Sequence, residues 1–172
     1  MRYLLIGVCV LAAACGGEVP SAPTRTSSAV SGTSATEAKG GSALPFMGTL
    51  EATEHVVSED ATHAVRHLDG TGNATHLGRF TLSADFTVTF ATGNGAGTAI
   101  WTAANGDQIF VNVVGHGDLV LFPTVSIAET HSIVGGTGRF ADASGTLRIE
   151  RSGSILTGVT SGSLSGEINL GH

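Results

Sequence analysis

Two side chains have the types and spacing for acid–base chemistry: Glu129 and His131, in Val125-Ser126-Ile127-Ala128-Glu129-Thr130-His131-Ser132-Ile133. On a β-strand alternate residues share a face, about 7 Å apart. If the odd-numbered face points inward, a carboxyl and an imidazole stand beside Val125, Ile127 and Ile133. Burial would then raise the carboxyl pKa and poise Glu129 for proton transfer to an apolar substrate, the chemistry of a cyclase or isomerase. If the strand bulges or its faces are exchanged, both groups lie on the surface. A second pair, His63 and His67, shares a strand face with Val65 between them. Four residues of strand separate them by about 13 Å, too far for one metal ion. His55 could join only through an accident of register, so no metal site is expected. No Ser-His-Asp or Cys-His pattern has supporting context.

The third candidate is Gly136-x-Gly138-x-x-Ala141, which follows an apolar run as a dinucleotide-binding fingerprint does. That fingerprint needs a helix opening at the glycines, because the helix N-terminus binds the pyrophosphate. Here Ala141-Asp142-Ala143 leads directly into Ser144-Gly145 and an alternating strand, and 27 residues remain after Gly145. No cofactor is therefore expected. The glycines Gly135, Gly136, Gly138 and Gly145 read instead as a hairpin corner, with Phe140 folded inward to close one end of a barrel. Gly138-Arg139-Phe140 repeats Gly78-Arg79-Phe80, and each Arg could cap an opening through carbonyls or a carboxylate such as Asp142.

The elements that must position these residues are strands. From Pro45 onward glycine and β-branched residues recur too often for helix, and period-2 alternation dominates. Phe86, Val88 and Phe90 alternate with Asp85, Thr87 and Thr89. Leu147 and Ile149 alternate with Thr146, Arg148 and Glu150, and Leu164, Ile168 and Leu170 with Ser163, Ser165, Glu167 and Asn169. Asn105-Gly106 is a strong two-residue hairpin signal. Further turns are expected at Gly70-Thr71-Gly72-Asn73, Gly93-Asn94-Gly95, Gly115-His116-Gly117-Asp118 and Ser152-Gly153. Eight to ten short antiparallel strands follow, among them Thr75–Ser83, Phe86–Ala91, Val120–Val134 and Ile155–Val159. Consecutive hairpins without a long crossover favour an all-β, antiparallel up-and-down barrel over a sandwich.

Composition narrows the partners. Charged residues make up 13% of the chain, the net charge is −6, and Lys39 is the only lysine, which argues against nucleic acid. An outer-membrane barrel would need aromatic girdles. Beyond the first fourteen residues there is no Tyr and one Trp, Trp101. Both cysteines, Cys9 and Cys15, lie in the first fifteen residues, so the remainder has no thiol for a disulfide or metal.

Met1-Arg2 followed by apolar Tyr3 to Ala14 is too short to span a bilayer and has the form of a signal-peptide core. The run ends in Leu11-Ala12-Ala13-Ala14-Cys15-Gly16, which resembles the lipobox of bacterial lipoproteins, where the Cys is acylated and becomes the mature N-terminus. Ala12 stands where that motif usually has Leu. The resemblance implies lipidation of Cys15 and attachment to the cell envelope. With no acidic retention signal after the Cys, it implies the outer membrane rather than the inner. Residues 15–44, rich in Ser, Thr, Gly and Ala, form the expected disordered tether, and residues 45–172 the barrel domain.

The segment Gly135-Gly136-Thr137-Gly138-Arg139-Phe140-Ala141-Asp142-Ala143-Ser144-Gly145 resembles the G-G-T-G-x-F-x-x-A-x-G segment of plant dirigent proteins and the G-G-S-G-x-F segment of allene oxide cyclases. Small secreted bacterial proteins of unknown function often pair it with an upstream T-H-L-G-R-F, as Thr75–Phe80 does here. The resemblance implies an eight-stranded calycin-like barrel. Dirigent proteins commonly have Arg before the last Gly, where this chain has Ser144, and no acidic residue of the plant proteins carries over. The expected function is binding of a small hydrophobic molecule, or a structural role, at the envelope. The alternative is a cyclase or isomerase using Glu129 and His131, without metal or nucleotide.

Overall fold

The structure, a computed structural model, describes residues 42–171; the signal peptide, Cys15 and most of the tether lie outside them. Eight strands form the chain: β1 (Leu44–Glu59), β2 (His63–Ala74), β3 (Gly78–Thr89), β4 (Asn94–Ala103), β5 (Gln108–Leu121), β6 (Thr124–Gly136), β7 (Ser144–Ser154) and β8 (Val159–Asn169). Each pairs antiparallel with its neighbour, and β8 returns to β1, so the sheet is a closed up-and-down barrel.

Alternation sets the two faces. On β1 Phe46, Leu50 and Ala52 point into the core, while Thr49, Glu51 and Thr53 are exposed. On β8 Leu164 and Ile168 are buried and Ser161, Ser163, Ser165 and Glu167 exposed. Much of the outer wall is thus Ser, Thr and charge.

Several expected breaks are absent. Ser83 and Phe86 belong to one strand, β3, in which Ala84 faces inward and pairs with Ala99. Gly70–Asn73 lies inside β2 and Gly115–Asp118 inside β5. Ser152-Gly153 lies within β7, and the expected strand Ile155–Val159 is largely the β7–β8 turn. Conversely, Val120–Val134 is broken at Phe122-Pro123, the turn between β5 and β6. The physical reason is room: a narrow barrel accepts inward glycine wherever a neighbour is bulky. Phe80 sits so close to Gly72 that a Cβ there would meet its ring.

The two ends of the barrel differ. One holds the connections 75–77, 104–107 and 137–143, with the start of β1 and the end of β8. It is filled by Phe46, Phe140, Trp101, Ile109, Leu147 and Ile168, all almost wholly buried. The glycine corner seals this end. Gly135, Gly138 and Gly145 adopt positive φ (132°, 55° and 143°), and a single 3-10 turn, Gly138–Phe140, carries Phe140 inward. Thr137 ties the corner to β5: its N–H donates to Gln108 O (2.8 Å), and its Oγ1 accepts from Gln108 N (2.9 Å). Arg139 stacks on the Phe140 ring at 4.7 Å and faces Asp107 at 3.8 Å, rather than Asp142. In the repeat, Phe80 is likewise buried against Trp101, at 4.9 Å between ring centroids, whereas Arg79 is exposed.

The other end holds the turns 60–62, 90–93, 122–123 and 155–158. Here the rim is apolar: Val56, Phe90, Leu121 (77% exposed), Phe122 (63%), Ile155 and Leu156 all face solvent.

Candidate functional site

The odd-numbered face of β6 points inward. His131 is buried and the Glu129 side chain is 11% exposed, both inside the barrel above the apolar plug. The His131 ring meets Trp101 edge to face, 5.6 Å between centroids, and both its nitrogens, like Trp101 Nε1, lack a hydrogen-bond partner. His131 Nε2 stands 3.6 Å from Glu129 Oε2, too far for a hydrogen bond.

Glu129 is not the free, burial-raised acid that its position in the sequence suggested. Arg151, inward on β7 beside Leu147 and Ile149, grips it with two bonds: Nη2 donates to Oε1 (2.8 Å) and Nε to Oε2 (3.1 Å). Burial pushes the carboxyl up, but His131 beside it and the Arg151 guanidinium outweigh burial and hold the pKa at about 2. The third Arg151 nitrogen, Nη1, donates to Glu54 Oε2 on β1 (3.2 Å), and Arg66 on β2 donates through Nη1 to Glu54 Oε1 (2.6 Å). Burial pulls Arg151 down, and its two carboxylates more than compensate, raising it. Four inward side chains thus form one chain of charge, Glu129–Arg151–Glu54–Arg66.

Two glycines make space for it. A Cβ at Gly115 would meet Glu129 Cγ at 2.7 Å, and one at Gly162 would meet Arg151 Cβ at 2.6 Å. Neither Arg66, Glu54 nor Arg151 was singled out from the sequence. The signal was strand parity: Arg151 continues the inward series Leu147, Ile149, Glu54 continues Leu50, Ala52, and Arg66 lies between Ala64 and Leu68.

Above this network the mouth opens into a chamber of about 140 Å³, walled by Phe86, Val88, Val113, Val125 and Ile127 with Glu54, Arg66, Glu129 and Arg151 at its base. A gap of about 20 Å³ lies beneath, touching Glu129, His131 and Arg151. That volume suffices for one water molecule.

Of the remaining histidines His116 lines the chamber at its rim, its ring bonded to Asn94 and Asp118, and the others lie elsewhere. Register places His55 opposite His67, with ring centroids 5.2 Å apart, on the outer wall. Among the described residues no group of three or more His, Cys, Asp or Glu could hold a metal ion. His67 Nδ1 lies 2.6 Å from Asp85 Oδ1, while Nε2 is shared between Asp69 (3.3 Å) and Ser83 Oγ (3.5 Å). The order Ser83–His67–Asp85 is that of a hydrolase triad. It lies flat on a sheet whose strands are paired on both sides, and Asp69 competes for the nitrogen that would activate the serine. The Asp85 contact raises His67 above the ordinary value of 6.5. Its small stabilising effect is therefore present below that value and is lost as pH rises through the folded-state pKa. In an NMR titration His67 should have its midpoint above 6.5, and Asp85→Asn should lower it; an unchanged midpoint would show that Asp85 is not the cause.

No protein-family model matches the chain, and a search of curated proteins finds no match.

Proposed function

We propose that the chain is a bacterial envelope lipoprotein, held at the outer membrane through Cys15, whose barrel binds a small hydrophobic molecule at its open end. The observation that carries the binding reading is the apolar rim leading to a chamber with apolar walls. Concave, mostly apolar sites with a few placed polar groups are where small ligands bind. The eight-stranded up-and-down barrel, with Phe140 plugging one end behind the Gly-Gly-Thr-Gly corner, supports kinship with the allene oxide cyclase and dirigent barrels. The leader and Cys15 rest on sequence alone. A cyclase or isomerase reading has in its favour that Glu129 and His131 both face the interior. The Arg151 clamp works against it, because a carboxylate held near pKa 2 is a poor base.

Native mass spectrometry of the protein from its own cells should show an added small-molecule mass, lost on unfolding. Leu121→Glu/Phe122→Ser, which makes the rim polar, should reduce that occupancy severalfold. An empty barrel under native conditions contradicts the binding role. Cys15→Ser should release the protein from membranes, and unchanged attachment refutes the anchor.

A further inference from the structure

The open end of the barrel carries an apolar patch that nothing among the described residues covers. Leu119, Val120, Leu121 and Phe122 run consecutively into the β5–β6 turn, and Ile155 and Leu156 begin the β7–β8 turn; all are exposed. Ile155 N–H donates to Pro123 O (2.9 Å), which joins the two turns into one surface. Contiguous apolar exposure of this kind marks an interaction site. The turn 60–62, which the strand order places across the mouth from the β5–β6 turn, has the opposite character. It follows Glu59 and carries Asp60, which accepts from Thr62 N–H, Thr62 Oγ1–H and His63 N–H. These bonds hold the Asp60 carboxyl at about 2, so it is ionised at neutral pH. No Lys or Arg occurs in the four turns of this end, so the patch has no charge with which to seek an anionic surface. It fits an uncharged apolar medium.

Two features decide what covers it. The first is reach. Cys15, the anchor proposed above, precedes Leu44, and Leu44 enters the barrel at the closed end. The chain between them extends to about 100 Å at most, whereas β1, of 16 residues, is about 50 Å long. An anchored chain can therefore run past the whole barrel and let the open end meet the same bilayer, where the tether makes docking intramolecular. The second is continuity. Ile155 also lines the chamber beside Val125 and Ile127, and an adjoining space of about 200 Å³ extends the wall to Leu156. The edge of the patch is the edge of the mouth. A second copy seated rim to rim would cover the patch but would close the entrance that a ligand needs.

We infer that the open end docks on a lipid bilayer, with the 122–123 and 155–158 turns inserted and the acidic 60–62 turn held out among the headgroups. An apolar compound then passes from the hydrocarbon into the chamber without crossing water. This deepens the small-molecule reading above and rests on the Cys15 anchor.

The test uses the full lipidated protein reconstituted in phosphatidylcholine vesicles whose acyl chains carry bromine, a contact quencher of indole fluorescence. Phe122→Trp puts an indole on the patch, and Met47→Trp puts one on the outer wall at the closed end, where Met47 is exposed. Trp101, buried in the core, adds the same background to both. Emission of Phe122→Trp should be quenched severalfold more than that of Met47→Trp. Adding Leu121→Ser/Leu156→Ser to Phe122→Trp should restore much of that emission, because interfacial binding scales with the apolar area inserted. Enriching the vesicles in anionic lipid should not strengthen the quenching. Equal quenching of the two tryptophan variants, or quenching that requires anionic lipid, would overturn the inference. So would a dimer of Cys15→Ser in analytical ultracentrifugation that Leu121→Ser/Leu156→Ser separates, since the patch would then belong to a second copy. Flotation with the vesicles reads the anchor separately: protein that floats with equal quenching overturns the docking alone, and protein that fails to float overturns both.

Discussion

Arg151→Met should destabilise the barrel by about 3–5 kcal/mol, the usual cost of removing one partner from a buried ion pair. The Arg151 side chain is 2% exposed and lies between two carboxylates that are themselves about nine-tenths buried, so its loss strands Glu129 and leaves Glu54 with Arg66 alone. Guanidinium denaturation at pH 7 reads the effect directly. Glu129→Gln/Arg151→Met should be less destabilised than Arg151→Met alone, because the stranded charge is gone. A double variant as weak as the sum of its singles would show that the two residues do not act as a pair.

The contacts of Glu129 with His131 and Arg151 together fix an acid dependence. Glu129 has an ordinary value of 4.5 and is held at about 2 in the folded protein. A lowered folded-state pKa means that the stabilisation is complete above about 4.5 and disappears as pH falls from there toward 2. Its size is on the order of 3 kcal/mol. In Arg151→Met burial acts on the carboxyl with the clamp removed, and this acid-induced loss should shrink. A variant with the wild-type acid profile would assign that profile to other carboxylates.

The second large effect lies at the opposite end. Phe140→Ala should cost about 3–5 kcal/mol through the cavity it leaves, whereas Phe140→Leu should cost under about 1.5 kcal/mol. Phe140 has no exposed surface, and its neighbours on the corner are held by the 3-10 turn and by Thr137 on Gln108. The wall cannot easily collapse into the space. Urea midpoints of the two variants check this; equal, small losses would mean that the plug is not sealed by its ring.

What the sequence disclosed followed the physics that local residues carry. Asn105-Gly106 specified its turn because two residues there must accept a tight reversal, and Gly106 indeed has φ 88°. Alternation placed Leu147, Ile149, Leu164 and Ile168 inside. Glycine misled where its reason was distant in sequence: Gly115 and Gly117 sit in mid-strand, and Gly115 is small because Glu129 on the next strand needs the space. The site was half legible for the same reason. Glu129 and His131 declare themselves within one strand, but the groups that set their chemistry arrive from β1, β2 and β7, with 97 residues separating Arg151 from Glu54. Burial alone predicts a raised carboxyl; His131 beside it and the guanidinium that only the assembled barrel supplies together reverse it.

The β1–β8 junction has a kinetic consequence. Seven of the eight strand pairings join neighbours in sequence and can form as hairpins, each closing a short loop. The eighth joins Leu44 to Ile168 and Thr53 to Val159, more than a hundred residues apart, and must await the rest. Closure is thus the high-contact-order step that should set the folding rate. Until it happens β1 and β8 are open edges whose unpaired N–H and C=O groups can template association with another chain. Afterwards no edge remains. Dilution or a chaperone should therefore matter to this chain only before the ring is complete.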